Sequence, residues 1–250
     1  MRKFLSVLLA MAMVLSLTVT GFAIEDTAAA TDAETKTEAT MAGKTVILHT
    51  NDVHGAVDGY AYIAQLKADY EAKGAEVILV DAGDYSQGKT YVSVTKGADA
   101  VTMMNAAGYD VVTLGNHEFD YGMDRAKMVL KEADFPYVSC NWIDLRSGLR
   151  VLPSIKLFNI QGAFVAFVGI TTPETFTKST PAYFMNAKQT RYIYDILGGD
   201  DGAKLYDAVQ KAIDKAKTLG ADYIIGLGHL GVDPSSAPWT CLLYTSDAAD

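Results

Sequence analysis

From residue 45 onward, short solid apolar runs alternate with longer runs whose apolar positions recur every three or four residues. The runs 45–50 (TVILHT) and 76–81 (EVILVD) are rich in β-branched residues and read as buried strands. A third strand is predicted over 109–114, a short one over 136–139 and a last one over 222–227. Residues 60–73 carry Ile63, Leu66 and Tyr70 at helical spacing and stop at Gly74, and 98–107 predicts a helix closed by Gly108. Helices are also predicted from 121 to about 133, and over 204–218 with a stop at Gly220. The runs 154–160 and 163–170 flank Gln161-Gly162 and predict a hairpin. Strands alternating with helices imply an α/β fold with buried parallel strands, and the hairpin makes the sheet mixed.

The first 43 residues follow another rule. Arg2 and Lys3 precede an uncharged apolar run over 4–19, and Gly21-Phe22-Ala23 offers small residues for cleavage. This is the layout of a secretory signal peptide over 1–23, cut after Ala23. The run is short for a membrane span and no second one follows, so no stable anchor is expected in the mature chain. Residues 24–43 are mostly Ala, Thr and acid, and read as a flexible linker. The expected location is therefore secreted, periplasmic or at the cell wall.

Composition narrows the function. The 250 residues carry 21 Lys and Arg against 30 Asp and Glu, a net charge of −9 with no basic run, which argues against nucleic-acid polymers as partners. Two cysteines cannot build a disulfide scaffold or a cysteine metal site.

Four segments place candidate metal ligands just after strands: Asn51-Asp52-Val53-His54, Asp81-Ala82-Gly83-Asp84, Gly115-Asn116-His117-Glu118-Phe119-Asp120 and Gly228-His229. In open α/β sheets ligands bind outside the carboxyl ends of the strands, so segments distant in sequence converge there. Asp52 and His54, two apart, would point the same way from extended backbone. Gly83 frees the chain to aim Asp84, whose two carboxylate oxygens can bridge two cations. The oxygen and nitrogen donors suit Zn, Mn, Fe, Co or Mg. Two dications held by two carboxylates and a hydroxide keep residual positive charge, which attracts a phosphate ester. Other residues have plainer readings. His49 is expected to pack or hydrogen-bond within its strand, Glu118 to face solvent or cap the next helix, and Cys140 to be a small buried hydrophobe. The chain contains no GxGxxG, no phosphate-cradling GxxxxGK[ST] loop and no nucleophile elbow.

Together, Asp52-Val-His54, Gly83-Asp84, Gly115-Asn116-His117 and Gly228-His229 resemble, in order, the blocks of calcineurin-like dinuclear metallophosphoesterases. The strings HTNDVHG, DAGDYSQG and LGNHEFDYG, with Thr171-Thr-Pro-Glu174, are similar to the secreted 5′-nucleotidase and 2′,3′-cyclic-nucleotide phosphodiesterase branch over about residues 45–240. The resemblance implies a layered α/β sandwich of mixed sheets flanked by helices over 44–240. It implies two divalent metal ions (Zn, Mn or similar), with Asp52 and His54 on the first, Asn116 and His229 on the second, and Asp84 bridging. It also implies that His117 donates to the phosphoryl oxygen or leaving alkoxide, that Asp120 orients it, and that a metal-bound hydroxide attacks a nucleotide phosphate ester.

The same resemblance implies a later Gly-His-x-His block and a C-terminal substrate-binding domain that stacks on the nucleobase. This chain has four histidines in all and no such block. Residues 241–250 read as a non-native tail on a truncated product, so weak or absent activity is expected. Alternative readings are a non-catalytic extracellular metal- or nucleotide-binding module and a sibling hydrolase: a cyclic phosphodiesterase, a sugar-nucleotide hydrolase or a thiohydrolase.

Overall fold

A computed structural model of the chain describes residues 40–230. The expected leader over 1–23, most of the linker expected over 24–43, and the expected tail over 241–250 lie outside the described residues. In chain order the elements are β1 (Thr45–Thr50), α1 (Val57–Ala72), β2 (Glu76–Asp81), α2 (Thr90–Val94), α3 (Ala98–Ala107), β3 (Val111–Val112), α4 (Met123–Val129), β4 (Trp142–Asp144), β5 (Leu149–Arg150), β6 (Ile155–Ile160), β7 (Ala163–Ile170), α5 (Thr175–Lys178), β8 (Tyr194–Ile196), α6 (Ala203–Thr218) and β9 (Tyr223–Gly228).

Strand periodicity builds a layered sandwich. A parallel sheet β1-β2-β3 packs against a mixed sheet β6-β7-β9, in which β6 and β7 are antiparallel and β7 and β9 parallel. Successive side chains on a strand point to opposite faces. Ile78 and Val80 of β2 therefore meet Val165 and Phe167 of β7 between the sheets. Leu79, between them in sequence, packs with Tyr60 and Ile63 of α1 and with Val101 and Met104 of α3. On the far side, Ala166 and Val168 of β7 pack under Ala208, Ala212 and Ala216 of α6. That alanine stripe sits at helical spacing and lets the helix lie close to the sheet. The fold is thus the expected α/β sandwich of mixed sheets flanked by helices. Among the described residues, no helix is long and apolar enough to cross a membrane.

The hairpin turns where the sequence places it. Gln161 and Gly162 both adopt left-handed backbone, with φ of 50° and 89°, as a two-residue turn between right-twisted strands requires. Other expectations are revised. β1 is not buried: among the described residues β2 alone lies beside it, its side chains alternate between exposed and half-buried, and His49 is exposed rather than packed. The strand expected over 109–114 shrinks to Val111–Val112, because the chain then leaves the sheet for the loop that carries Asn116. Residues 136–139 form no strand of their own. A single bridge joins Tyr137 to Val112, and the chain then crosses to the other sheet, where Cys140 N donates to Gly169 O at 2.7 Å. Cys140 itself is buried as expected. The helix expected from 121 starts at Met123, after Gly122 at φ 88°, and ends at Val129. A small antiparallel sheet, β5-β4-β8, has no counterpart in the sequence-based expectations.

Phe167 is fully buried between the sheets, whereas Ile47 on β1 is 40% exposed. Phe167→Ala is expected to lower unfolding free energy by about 3–5 kcal/mol, and Ile47→Ala by well under about 1 kcal/mol. Urea unfolding followed by circular dichroism checks both.

Candidate metal centre

The loops after β1, β2, β3 and β9 meet at one end of the sandwich, and backbone hydrogen bonds zip them together. Asp52 N donates to Gly83 O and His54 N to Asp84 O, both at 3.1 Å, while His229 N donates to Ile170 O at 3.1 Å. Residues 52–54 are not extended. Asp52, His54 and Asp84 all adopt left-handed backbone, with φ of 53°, 46° and 60°. Non-glycine residues enter that region at a cost, and three instances in one cluster mark a site where surrounding structure enforces side-chain direction. Gly83 and Gly115 permit the closest approach. A Cβ on Gly83 would lie 2.2 Å from Gly115 N, and one on Gly115 would lie 2.1 Å from Asp84 Oδ1.

The side chains converge accordingly. His229 Nε2 lies 3.0 Å from Asp84 Oδ2 and 4.0 Å from Asp52 Oδ1, and His54 Nε2 lies 3.6 Å from Asp52 Oδ1. Among the described residues, two groups have ligand atoms close enough to hold a metal ion: His54, Asp84 and His117, and Asp52, Asp84 and His229. Asp84 belongs to both, and Asp52 lies between the two imidazoles rather than beside His54 alone. Asn116 is fully buried, and its neighbour His117 donates its backbone N–H to Asp84 Oδ1 at 2.8 Å.

The donor atoms fit a cation. The Nδ1 nitrogens of His54 and His229 lie 3.1 and 3.2 Å from the carbonyls of Gln87 and Ala82. A carbonyl only accepts, so each Nδ1 carries a proton and each Nε2 is left facing the carboxylates, the orientation of metal-binding imidazoles. Among the described residues, both amide atoms of Asn116 are buried without a hydrogen-bond partner, while the buried His54 Nε2, His229 Nε2 and Asp84 Oδ2 face one another and Asp52 at 3.0–4.0 Å. Buried polar atoms are normally paired, so such a cluster fits a bound cation. Its field is negative. The hydrogen bond with Asp52 raises the pKa of His54 against the opposing effect of burial. Burial lowers that of His229, but Asp84 and Asp52 outweigh it and lift the value to about 9.

His117 is held differently. Its Nδ1 lies 2.5 Å from Asp120 Oδ2, across the single 3-10 turn His117–Phe119. Burial lowers its pKa, yet Asp120 and Asp84 raise it to about 9, so the ring carries a donatable proton at neutral pH. The His117 and His54 rings meet edge to face at 5.1 Å.

Glu118 corrects its expectation. It is buried, neither solvent-facing nor capping the next helix. Its carboxylate accepts backbone N–H groups from Asp84 (2.9 Å), Gly115 (2.6 Å), Tyr85 (3.1 Å) and Ser86 (3.2 Å). Burial and Asp84 push its pKa up, while the N–H groups of Asp84 and Gly115 oppose them. No residue type at the partner positions announces this, because every partner is main chain. Asp81, also fully buried, accepts from Thr50 Oγ1 at 2.5 Å and from Gly83 N at 2.8 Å, and burial raises its pKa to about 8.

The model of the calcineurin-like phosphoesterase family matches residues 45–244. This chain belongs to that family. It is 34% identical over 207 residues to a snake venom 5′-nucleotidase from Gloydius brevicauda, a match covering 74% of this chain and 32% of the relative. With the 5′-nucleotidase of Vibrio cholerae it shares 32% over 206 residues, covering 78% and 35%. The crystal structure of a 5′-nucleotidase precursor from Thermus thermophilus aligns with a TM-score of 0.60 at 26% identity, covering 74% of this chain and 37% of that one. The chain therefore spans about a third of the length of the curated relatives it matches.

The Gly83–Gly115 contact leaves no room for a methyl group. Gly83→Ala is expected to lower stability by about 1–3 kcal/mol, combining left-handed strain with the clash. Chemical denaturation in the presence of EDTA reads this without any contribution from metal.

Proposed function

We propose that the chain carries a hydrolytic centre for phosphate esters of nucleotides, working with two divalent cations (Zn, Mn or similar). The observation that carries this reading is the cluster of buried nitrogen and oxygen donor atoms, centred on Asp84 and shared by two candidate ligand groups, that separate loops bring to one end of the sandwich. Asp52 and His54 would hold one cation, Asn116 and His229 the other, and Asp84 both. Bound there, the cations would neutralise phosphoryl charge and lower the pKa of water to supply a nucleophile at neutral pH.

The chain's own residues do the rest. Asp120 fixes the proton on His117 Nδ1 and stabilises the imidazolium, leaving Nε2–H to face the ester. As the bond from phosphorus to the leaving oxygen breaks, His117 delivers that proton to the departing alkoxide, and Asp120 stays ionised. Burial on the strand side excludes bulk water from Asp84 and His229 and strengthens each electrostatic contact.

Nucleotide selectivity is supported by the likeness to 5′-nucleotidases, and the family resemblance implies that a further domain recognises the nucleobase. Export is supported by the leader pattern over 1–23 and by the venom relative. With His49 exposed on β1, only His54, His117 and His229 stand at the centre, fewer imidazoles than the family resemblance implies. The chain is therefore expected to bind its cations weakly and turn over slowly.

Mn²⁺ is expected to raise the melting temperature in a concentration-dependent way, adding about 2.7 kcal/mol when free metal is a hundredfold above Kd. Mg²⁺-free calorimetry with and without chelator measures it. Slow phosphate release from AMP should require Mn²⁺ or Zn²⁺ and fall by about 10²–10⁴ in His117→Gln, which should still bind metal. Release indifferent to both chelator and substitution would sink the hydrolase reading, and metal binding without release in wild type would favour a binding module.

A further inference from the structure

We infer that Glu118 is a positioning residue that sets the spacing of the two cation sites by clamping the Asp84 and Asn116 loops to each other; the inference rests on the two-cation reading above. The geometry is specific. Glu118 Oε2 accepts from Asp84 N at 2.9 Å and from Gly115 N at 2.6 Å, so one oxygen ties the loop after β2 to the loop after β3. Oε1 accepts from Tyr85 N at 3.1 Å and Ser86 N at 3.2 Å, and extends the grip along the first loop. A second tie runs the other way, from His117 N to Asp84 Oδ1 at 2.8 Å, and Ser86 Oγ donates to the His117 carbonyl at 3.0 Å.

Asp84 needs such a grip. It sits at φ 60° after Gly83 at φ 107°, a conformation its own side chain does not favour. Its carboxylate is common to both candidate metal groups, so any rotation of its backbone moves both sites at once. Asn116 lies between Gly115, whose N–H Glu118 holds, and His117, whose N–H Asp84 holds. Its amide therefore inherits its position from the same clamp. No neutral side chain of this size reproduces the grip. A glutamine offers one acceptor oxygen, and its NH₂ would face two N–H donors, so two of the four hydrogen bonds would be replaced by donor–donor contacts.

Partners behind a metal ligand tune affinity by about 10–100-fold. The test is Mn²⁺ titration with electron paramagnetic resonance, which counts bound ions and distinguishes an exchange-coupled pair from isolated ions. It compares wild type, Glu118→Gln, Glu118→Asp and Phe167→Ala, with folding checked by circular dichroism in EDTA. Wild type at saturating Mn²⁺ is expected to show the coupled pair. Glu118→Gln should weaken the second ion by about tenfold or more and lose coupling while one ion stays bound. Glu118→Asp keeps the charge on a shorter arm and should fall between the two; it decides the matter if Glu118→Gln does not fold. Phe167→Ala, destabilised between the sheets with every Glu118 hydrogen bond left in place, should keep the coupled signal. A coupled pair of unchanged affinity in whichever Glu118 variants fold, or equal loss in Phe167→Ala, would overturn the positioning role alone. Absence of a coupled pair in wild type would overturn the two-cation reading, and the inference with it.

Discussion

Two carboxylates, Asp52 and Asp84, are held between two imidazoles whose Nε2 atoms face inward. Like charges in a buried setting repel and lose hydration, so the arrangement is favourable only when a cation or protons compensate it. The neighbouring imidazoles already register this field through their raised proton affinity. Much of the surrounding architecture can be understood as what keeps these groups from relaxing apart. Three left-handed residues, two glycines in contact and one buried glutamate oppose that relaxation.

The division of labour follows from the layers. Strand–strand packing through Ile78, Val80, Val165 and Phe167 supplies a rigid base, and chemistry is confined to the loops at its end. Each loop contributes a side chain, and no loop contributes a complete site. Rigid strands fix where a loop starts, and main-chain hydrogen bonds between loops fix where its side chains point. This explains why the left-handed residues cluster at 52, 54 and 84: the strain is borne where direction matters most.

Strand and helix identities were largely legible, because period-two and period-3.6 patterns are local. The Gln161-Gly162 turn was legible for the same reason. Burial of β1 was not, since TVILHT reads alike whether one strand or two lie beside it. The segment over 136–140 misled because its residues favour extended chain, yet it serves as a crossing between sheets rather than a rung of either. At the site, the convergence of Asp52, His54, Asp84, Asn116, His117, Asp120 and His229 on one end followed from strand order. The local geometry did not: an extended 52–54 was expected, and left-handed turns were found. Glu118 escaped because its partners are main-chain N–H groups, most of them some thirty residues upstream, which no side-chain pattern encodes.

His229 follows β9, which among the described residues pairs with β7 alone, while Asp52 follows β1 in the other sheet. A ribosome delivers the chain from its N-terminus, so the first sheet and most of the liganding loops are complete before β9 exists. The site therefore cannot be complete before β9 has docked, and until then one of its imidazoles is absent.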